Sequence, residues 1–116
     1  MIVDDDRSMT ALLKTLLELD GYEAHIVGRG ADVIPMAERV RPHAIILDYF
    51  LVDMQGVQVI HMLRSHNDFQ SIPIIVASGM NVEHEVMEAG ATVFLGKPYE
   101  PLDLSRLLDT LTSSAQ

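Results

Sequence analysis

Two continuous apolar runs that each end in a polar residue, AIILD (44–48) and IPIIVAS (72–78), constrain this chain more than any other feature. A half-exposed strand alternates; a strand buried on both faces reads as an unbroken run, and such strands belong to parallel sheets. Around these runs the hydrophobic period changes. Met9, Leu12, Leu13, Leu16 and Leu17 recur at helical spacing, which predicts a helix with that face in the core, capped by Asp6 or Ser8 and ended at Gly21. Tyr22, Ala24 and Ile26 alternate with polar neighbours as a second strand. Further helices are predicted over 32–39 with Pro35 in the first turn, over 56–65, over 82–89 and over 101–111. In the last, Pro101 suits the first helical position and Leu104, Leu107, Leu108 and Leu111 share a face. With a short strand ahead of Asp4 and TVFLG (92–96) as the fifth, the order is five βα units.

This alternation favours an α/β fold with a doubly wound, five-stranded parallel sheet, because each parallel crossover is right-handed and lays its helix on a sheet face. Ligands of open sheets bind beyond the carboxyl ends of the strands, where strand order reverses. The residues at those ends are Asp4 and Asp5, then Asp48, then Ser78, and finally Lys97 with Pro98. Far apart in sequence, they converge on one rim. Crowded carboxylates resist ionising together unless a cation is supplied, so the run DDD at 4–6 calls for a metal, a lysine or both.

The 116 residues suffice for one domain, residues 1–116, with one core and no room for a second. A formal charge of −9, from 17 acidic against 8 basic residues, lacks the electrostatic footprint of a nucleic-acid binder, so no direct nucleic-acid contact is expected. Without cysteine there is no disulfide, thiolate metal site or cysteine nucleophile, which suits a reducing compartment. No run approaches the ~18 apolar residues of a membrane span, and no signal-peptide pattern opens the chain. A cytoplasmic protein without membrane association is therefore the expectation.

Four segments, VDDD (3–6), LDYFLVDMQG (47–56), VASG (76–79) and FLGKPY (94–99), occur in an order and at a spacing that resemble the receiver domains of two-component response regulators, the chemotaxis receivers among them. A strand ending in Asp is common; four such segments together are specific. The resemblance covers essentially the whole chain and implies the flavodoxin-like receiver fold with strand order 2-1-3-4-5. It implies that Asp48 accepts a phosphoryl group from a histidine kinase or histidine phosphotransfer protein. It further implies that Asp5 and Asp4 hold Mg²⁺ together with Asp48 and the backbone carbonyl of Phe50, with Asp5 as a direct ligand and Asp4 often acting through water. Lys97 and Ser78 would then engage the phosphoryl oxygens, Ser78 and Phe94 would form the switch, and a cis peptide would precede Pro98. The face of the fourth helix, fifth strand and fifth helix would meet an effector domain or target. Such a chain is a signalling domain and not an enzyme, since it promotes only its own phosphotransfer and dephosphorylation.

The chemistry agrees with that reading. A carboxylate can attack phosphorus and form an aspartyl phosphate when the charge on the equatorial oxygens is neutralised, and Mg²⁺ needs only one or two further carboxylates beside the acceptor. The chain also departs from the family pattern. Val52 stands where proline is usual, so the acceptor loop is expected to be less rigid; the stretch from Ser78 to Lys97 is short, so the fourth helix should be short. Phe50 and Met80, two positions after Asp48 and Ser78, are bulky and apolar where receivers position a hydrolytic water, which predicts a long-lived phosphoryl group. The alternative reading is a degenerate receiver that works as a phosphorylation-independent interaction module; such chains usually lose the acceptor, the acidic pair or the lysine, all retained here. A haloacid-dehalogenase-type phosphatase needs a second Asp where this chain has Phe50, and the acidic loop after the first strand would repel a flavin phosphate.

Overall fold

Strand pairing in the computed structural model, which describes residues 1–113, gives a single five-stranded parallel sheet in the order 2-1-3-4-5. Residues 114–116 of the expected 1–116 domain lie outside the described residues. The strands are β1 (Ile2–Val3), β2 (Ile26–Val27), β3 (Ile45–Asp48), β4 (Ile74–Ser78) and β5 (Val93–Gly96). The helices between and after them are α1 (Arg7–Leu19), α2 (Val33–Val40), α3 (Gly56–Ser65), α4 (Glu83–Ala89) and α5 (Pro101–Ser113).

Because successive strand residues face opposite sides, each apolar run supplies two cores at once. Val3, Ile45, Leu47, Ile74 and Val76 pack beneath Val33 and Ala37 of α2, Val59, Ile60 and Leu63 of α3, and Val86 of α4. Ile2, Ile46 and Ile75 pack on the other side against Leu13 and Leu17 of α1 and Leu104 and Leu108 of α5. Ile45, Leu47, Ile74, Ile75 and Val76 are wholly buried, which explains why β3 and β4 show no alternation in sequence.

Element ends follow local chemistry. The Asp6 carboxylate, rather than Ser8, caps α1 by accepting the Met9 N–H at 3.0 Å, and the chain leaves the helix through Gly21 at φ 94°. The second strand lies later than its alternation predicts, at 26–27 instead of 22–26, because β1 offers only Ile2 and Val3 as partners. Tyr22 is instead drawn to α5, where its hydroxyl donates to Asp109. Pro73 has no N–H to give a ladder, so β4 begins after it, although its carbonyl still accepts from Ile45 at 2.9 Å. Leu12 also corrects the prediction. It is exposed, because only Leu13 and Leu17 of the α1 stripe reach the core, while Leu12 and Leu16 line an apolar groove beside Pro98, Tyr99 and Pro101. As expected, α4 is short, seven residues, and the Lys97–Pro98 peptide is cis.

One side chain joins three of these segments. The half-buried Arg64 guanidinium at the end of α3 donates to the carbonyls of Phe69 (3.0 Å) and Ile72 (2.8 Å) ahead of β4 and to Gly90 (2.9 Å) behind α4. Gly90 has φ 117°, and a Cβ on it would stand 3.0 Å from Arg64 Cγ, so the close approach needs glycine there. Replacing Arg64 with Met leaves these carbonyls without their donor, and the variant should lose about 2 kcal/mol in urea unfolding with the slope unchanged. Arg64→Lys should recover only part of that loss, since one ammonium cannot reproduce the planar fork.

Candidate functional site

The carboxyl ends of β1, β3, β4 and β5 build the site. The parallel register sets Asp48 beside Ala77 and Ser78 beside Gly96, and the Lys97 N–H donates to the Ser78 carbonyl at 2.8 Å. Lys97 therefore leaves the sheet next to the end of β4, and its Nζ reaches across to lie 2.9 Å from Asp48 Oδ1 and 3.6 Å from Asp4 Oδ2. On the β1 side, the Asp4 N–H continues the ladder to the Val27 carbonyl, and Asp4 Oδ1 accepts the Asp6 N–H at 3.0 Å. Asp4 is only 6% exposed, whereas Asp5 is open to solvent. Asp4, Asp5 and Asp48 bring carboxylate oxygens within 4.8 Å of one another, and no other metal-ligating trio occurs among the described residues.

Burial chiefly raises the Asp4 pKa above the usual aspartate range, opposed by the Asp6 N–H and Lys97 and reinforced by Asp48. For Lys97, burial disfavours the charge, but the hydrogen bond and attraction of Asp48, with Asp4 behind it, outweigh that and hold its pKa above the ordinary lysine value. The ammonium is thus a permanent cation wedged between two carboxylates. Ser78 is buried at the end of β4, where its Oγ accepts the Met80 N–H at 3.0 Å. Phe94 lies partly buried on β5 against the α2–α3–α4 core, in register with Val76.

The response regulator receiver domain model matches residues 1–109. The chain belongs to that family. It is 33% identical to the transcriptional regulatory protein GltR of Pseudomonas aeruginosa over 119 aligned positions, covering all of this chain and 49% of GltR. The chain spans about half the length of the curated relatives it matches. Chemotaxis protein CheY4 of Vibrio cholerae superposes with a TM-score of 0.88 at 26% identity over 95% of this chain and 94% of that one. The receiver domain of sensor histidine kinase PA1611 from Pseudomonas aeruginosa, described with a magnesium ion coordinated in its active-site cleft, superposes with a TM-score of 0.87 at 25% identity, covering 97% and 94%. No helix among the described residues is long and apolar enough to cross a membrane.

Of the residues the sequence singles out, this receiver brings Asp4, Asp5, Asp48, Ser78 and Lys97 to one rim, while Phe94 lies two residues inside it on β5. Two contacts of the loop after Asp48 follow no periodic or motif pattern in the sequence. The Tyr49 hydroxyl donates to Glu85 Oε2 at 2.6 Å, tying the residue after Asp48 to the first turn of α4. The Asp53 carboxylate accepts the N–H groups of Gly30 (2.8 Å) and Ala31 (3.0 Å). All three partners lie more than twenty positions away, beyond any local pattern; an Asp five residues past Asp48 in a turn is the only trace.

The raised Asp4 pKa fixes the sign of one pH effect. A carboxyl whose folded pKa is raised costs stability once ionised, so its penalty is absent well below the ordinary aspartate pKa and grows as pH rises through the folded value. Asp4→Asn keeps an oxygen for the Asp6 N–H and removes the charge. In metal-free buffer the variant should melt higher than the parent at pH 7, and the advantage should vanish on acidification. Parallel thermal melts from pH 3 to 7 in EDTA check this; a variant less stable at pH 7 overturns it.

Proposed function

We propose that this receiver accepts a phosphoryl group on Asp48 from a histidine kinase or histidine phosphotransfer protein, with Mg²⁺ held by Asp4, Asp5, Asp48 and the Phe50 carbonyl. The observation that carries the reading is the pairing of three carboxylates within 4.8 Å with one lysine 2.9 Å from the acceptor. An all-oxygen donor set suits a hard divalent cation, and a desolvated carboxylate held against its own charge gains from one. When bound, Mg²⁺ supplies positive charge that offsets the carboxylates and the incoming phosphoryl oxygens.

The residues divide the work. One Asp48 oxygen forms a bond to phosphorus as the phosphorus–nitrogen bond of the donor histidine breaks and the nitrogen keeps the electron pair. Lys97 already stands beside the attacking group as a cation, so no charge has to be recruited during transfer. The Ser78 oxygen accepts from Met80, which leaves its O–H to donate to a phosphoryl oxygen. Drawing Ser78 toward that oxygen frees space for Phe94 to move inward, and the α4–β5–α5 face changes with it. The chemistry stays within the chain's own phosphotransfer and dephosphorylation. The setting we infer is cytoplasmic, with an effector domain or target on the α4–β5–α5 face. The acid excess of this chain leaves any nucleic-acid contact to such a partner.

Incubation with Mg²⁺ and a small phosphodonor, followed by intact mass, should add one phosphoryl group to the parent and none to Asp48→Asn. An unmodified parent would instead favour a phosphorylation-independent interaction module.

Phosphoryl lifetime gives a second test. Phe50 and Met80 are 47% and 53% exposed, and neither can orient water by hydrogen bonding. Phe50→Asn combined with Met80→Lys should speed loss of preformed aspartyl phosphate about tenfold, equivalent to ~1.4 kcal/mol of barrier. Decay is followed after donor removal at constant Mg²⁺, and equal rates in parent and double variant count against the idea.

A further inference from the structure

The segment between Asp48 and α3 doubles back on itself. Phe50 and Gln55 form an antiparallel bridge, the Leu51 N–H donates to the Met54 carbonyl at 3.1 Å, and the Gly56 N–H closes the base on the Tyr49 carbonyl. The result is a small hairpin with Val52 and Asp53 at its tip and Phe50 near its base. Val52 is 72% exposed, so its side chain cannot anchor the tip. Asp53 does so, because its two oxygens accept the Gly30 and Ala31 N–H groups where the chain turns into α2. These bonds are the first cause of a lowered Asp53 pKa, with Arg29 contributing less.

A second observation supports the contact independently of Asp53. Gly30 is buried, and a Cβ built on it would lie 2.4 Å from both Cγ and Sδ of Met54, the next residue of the hairpin. The turn before α2 and the hairpin tip therefore meet by hydrogen bonding and by a close approach that any side chain at position 30 would disturb by displacing Met54. With both oxygens engaged, Asp53 stays outside the Asp4, Asp5 and Asp48 trio.

We propose that Asp53 is a positioning residue for the metal: it pins the hairpin tip to the turn before α2 and so steadies the peptide of Phe50, whose carbonyl would hold the cation. The proposal rests on the metal reading above. Mg²⁺ demands near-ideal octahedral geometry, so a carbonyl ligand on a hairpin held only at its base loses affinity through wandering, without any change in the carboxylates. Val52 and Asp53 are then complementary. A ring-locked residue at 52 would stiffen the loop from within, whereas here a carboxylate one position later braces it from outside.

The test is titration of the full chain with Mg²⁺ alone, followed by calorimetry and by the amide resonances of residues 49–56, alongside thermal melts in EDTA. Asp53→Ala removes both acceptors and should raise the Mg²⁺ dissociation constant about tenfold, the lower end of what supporting residues of metal sites contribute. Asp53→Asn, with one accepting oxygen, should fall between it and the parent. Gly30→Ala, which displaces Met54 and leaves Asp53 intact, should weaken Mg²⁺ in the same direction and keeps the test open if Asp53→Ala fails to fold. Variants that melt lower in EDTA yet titrate like the parent would reduce the contact to a structural cap and overturn the proposal. A parent that shows no saturable Mg²⁺ binding overturns the metal reading itself, and this inference with it.

Discussion

The Lys97 ammonium between Asp48 and Asp4 is the interaction on which the rest of the site depends. Folding drives β1 and β3 together as neighbours in the sheet centre, and the polar residues that end them arrive side by side with like charge. Lys97 answers that repulsion from β5, two strands from β3, at 2.9 and 3.6 Å. The answer is incomplete. One cation faces three carboxylates, and burial still holds the Asp4 carboxyl above its usual range. The shortfall of positive charge is what the proposed divalent cation would make good, and the desolvated Asp4 carboxylate carries an electrostatic cost that such an ion would relieve. Under the proposed metal role, function and stability would oppose each other at Asp4 for one reason, the desolvation of a charge.

Much of this was legible in the amino-acid sequence because parallel sheets write their architecture plainly. Runs buried on both faces cannot alternate, so 44–48 and 72–78 mark the central strands, and each terminal polar residue marks a place on the rim. The family resemblance then assigns roles that periodicity alone leaves open. Failures cluster where tertiary contacts override a local pattern. The second strand shifts because its partner β1 is two residues long, and Tyr22 finds Asp109 on α5 instead of a ladder position. Leu12 keeps helical spacing yet stays outside, since an apolar stripe on a helix can be wider than the sheet it covers. Asp53 and Tyr49 were beyond reach for a different reason. Their partners, Gly30, Ala31 and Glu85, are fixed by topology and not by neighbourhood in sequence.

The two faces of the sheet are unequal in what they can transmit. Beneath α1 and α5 lies a core joined at its edge by polar contacts between Asp20 and Ser105 and between Tyr22 and Asp109, which tie the two helices' surroundings together. On the opposite face the loop after Asp48 is linked to the turn before α2 through Asp53 and to α4 through Tyr49 and Glu85. A change of charge at Asp48 would therefore act on a loop hydrogen-bonded to α4 and to the turn before α2. Phe94 packs against that face as well, so the residues adjoining the acceptor and the aromatic on β5 share one core.

The ends of α4 are held by different means, and this sets how the helix can move. At its carboxyl end the Arg64 guanidinium grips the Gly90 carbonyl while also holding two carbonyls ahead of β4, a junction with no proton to lose in the physiological range. At its amino end the helix is tied to the acceptor loop by one phenol–carboxylate hydrogen bond on an exposed glutamate. A rearrangement that keeps the Arg64 junction would leave the amino end the freer of the two, like a lever hinged at Gly90. Displacements on this face would then grow along the helix from Ala89 toward Glu83, which gives any motion of α4 a direction.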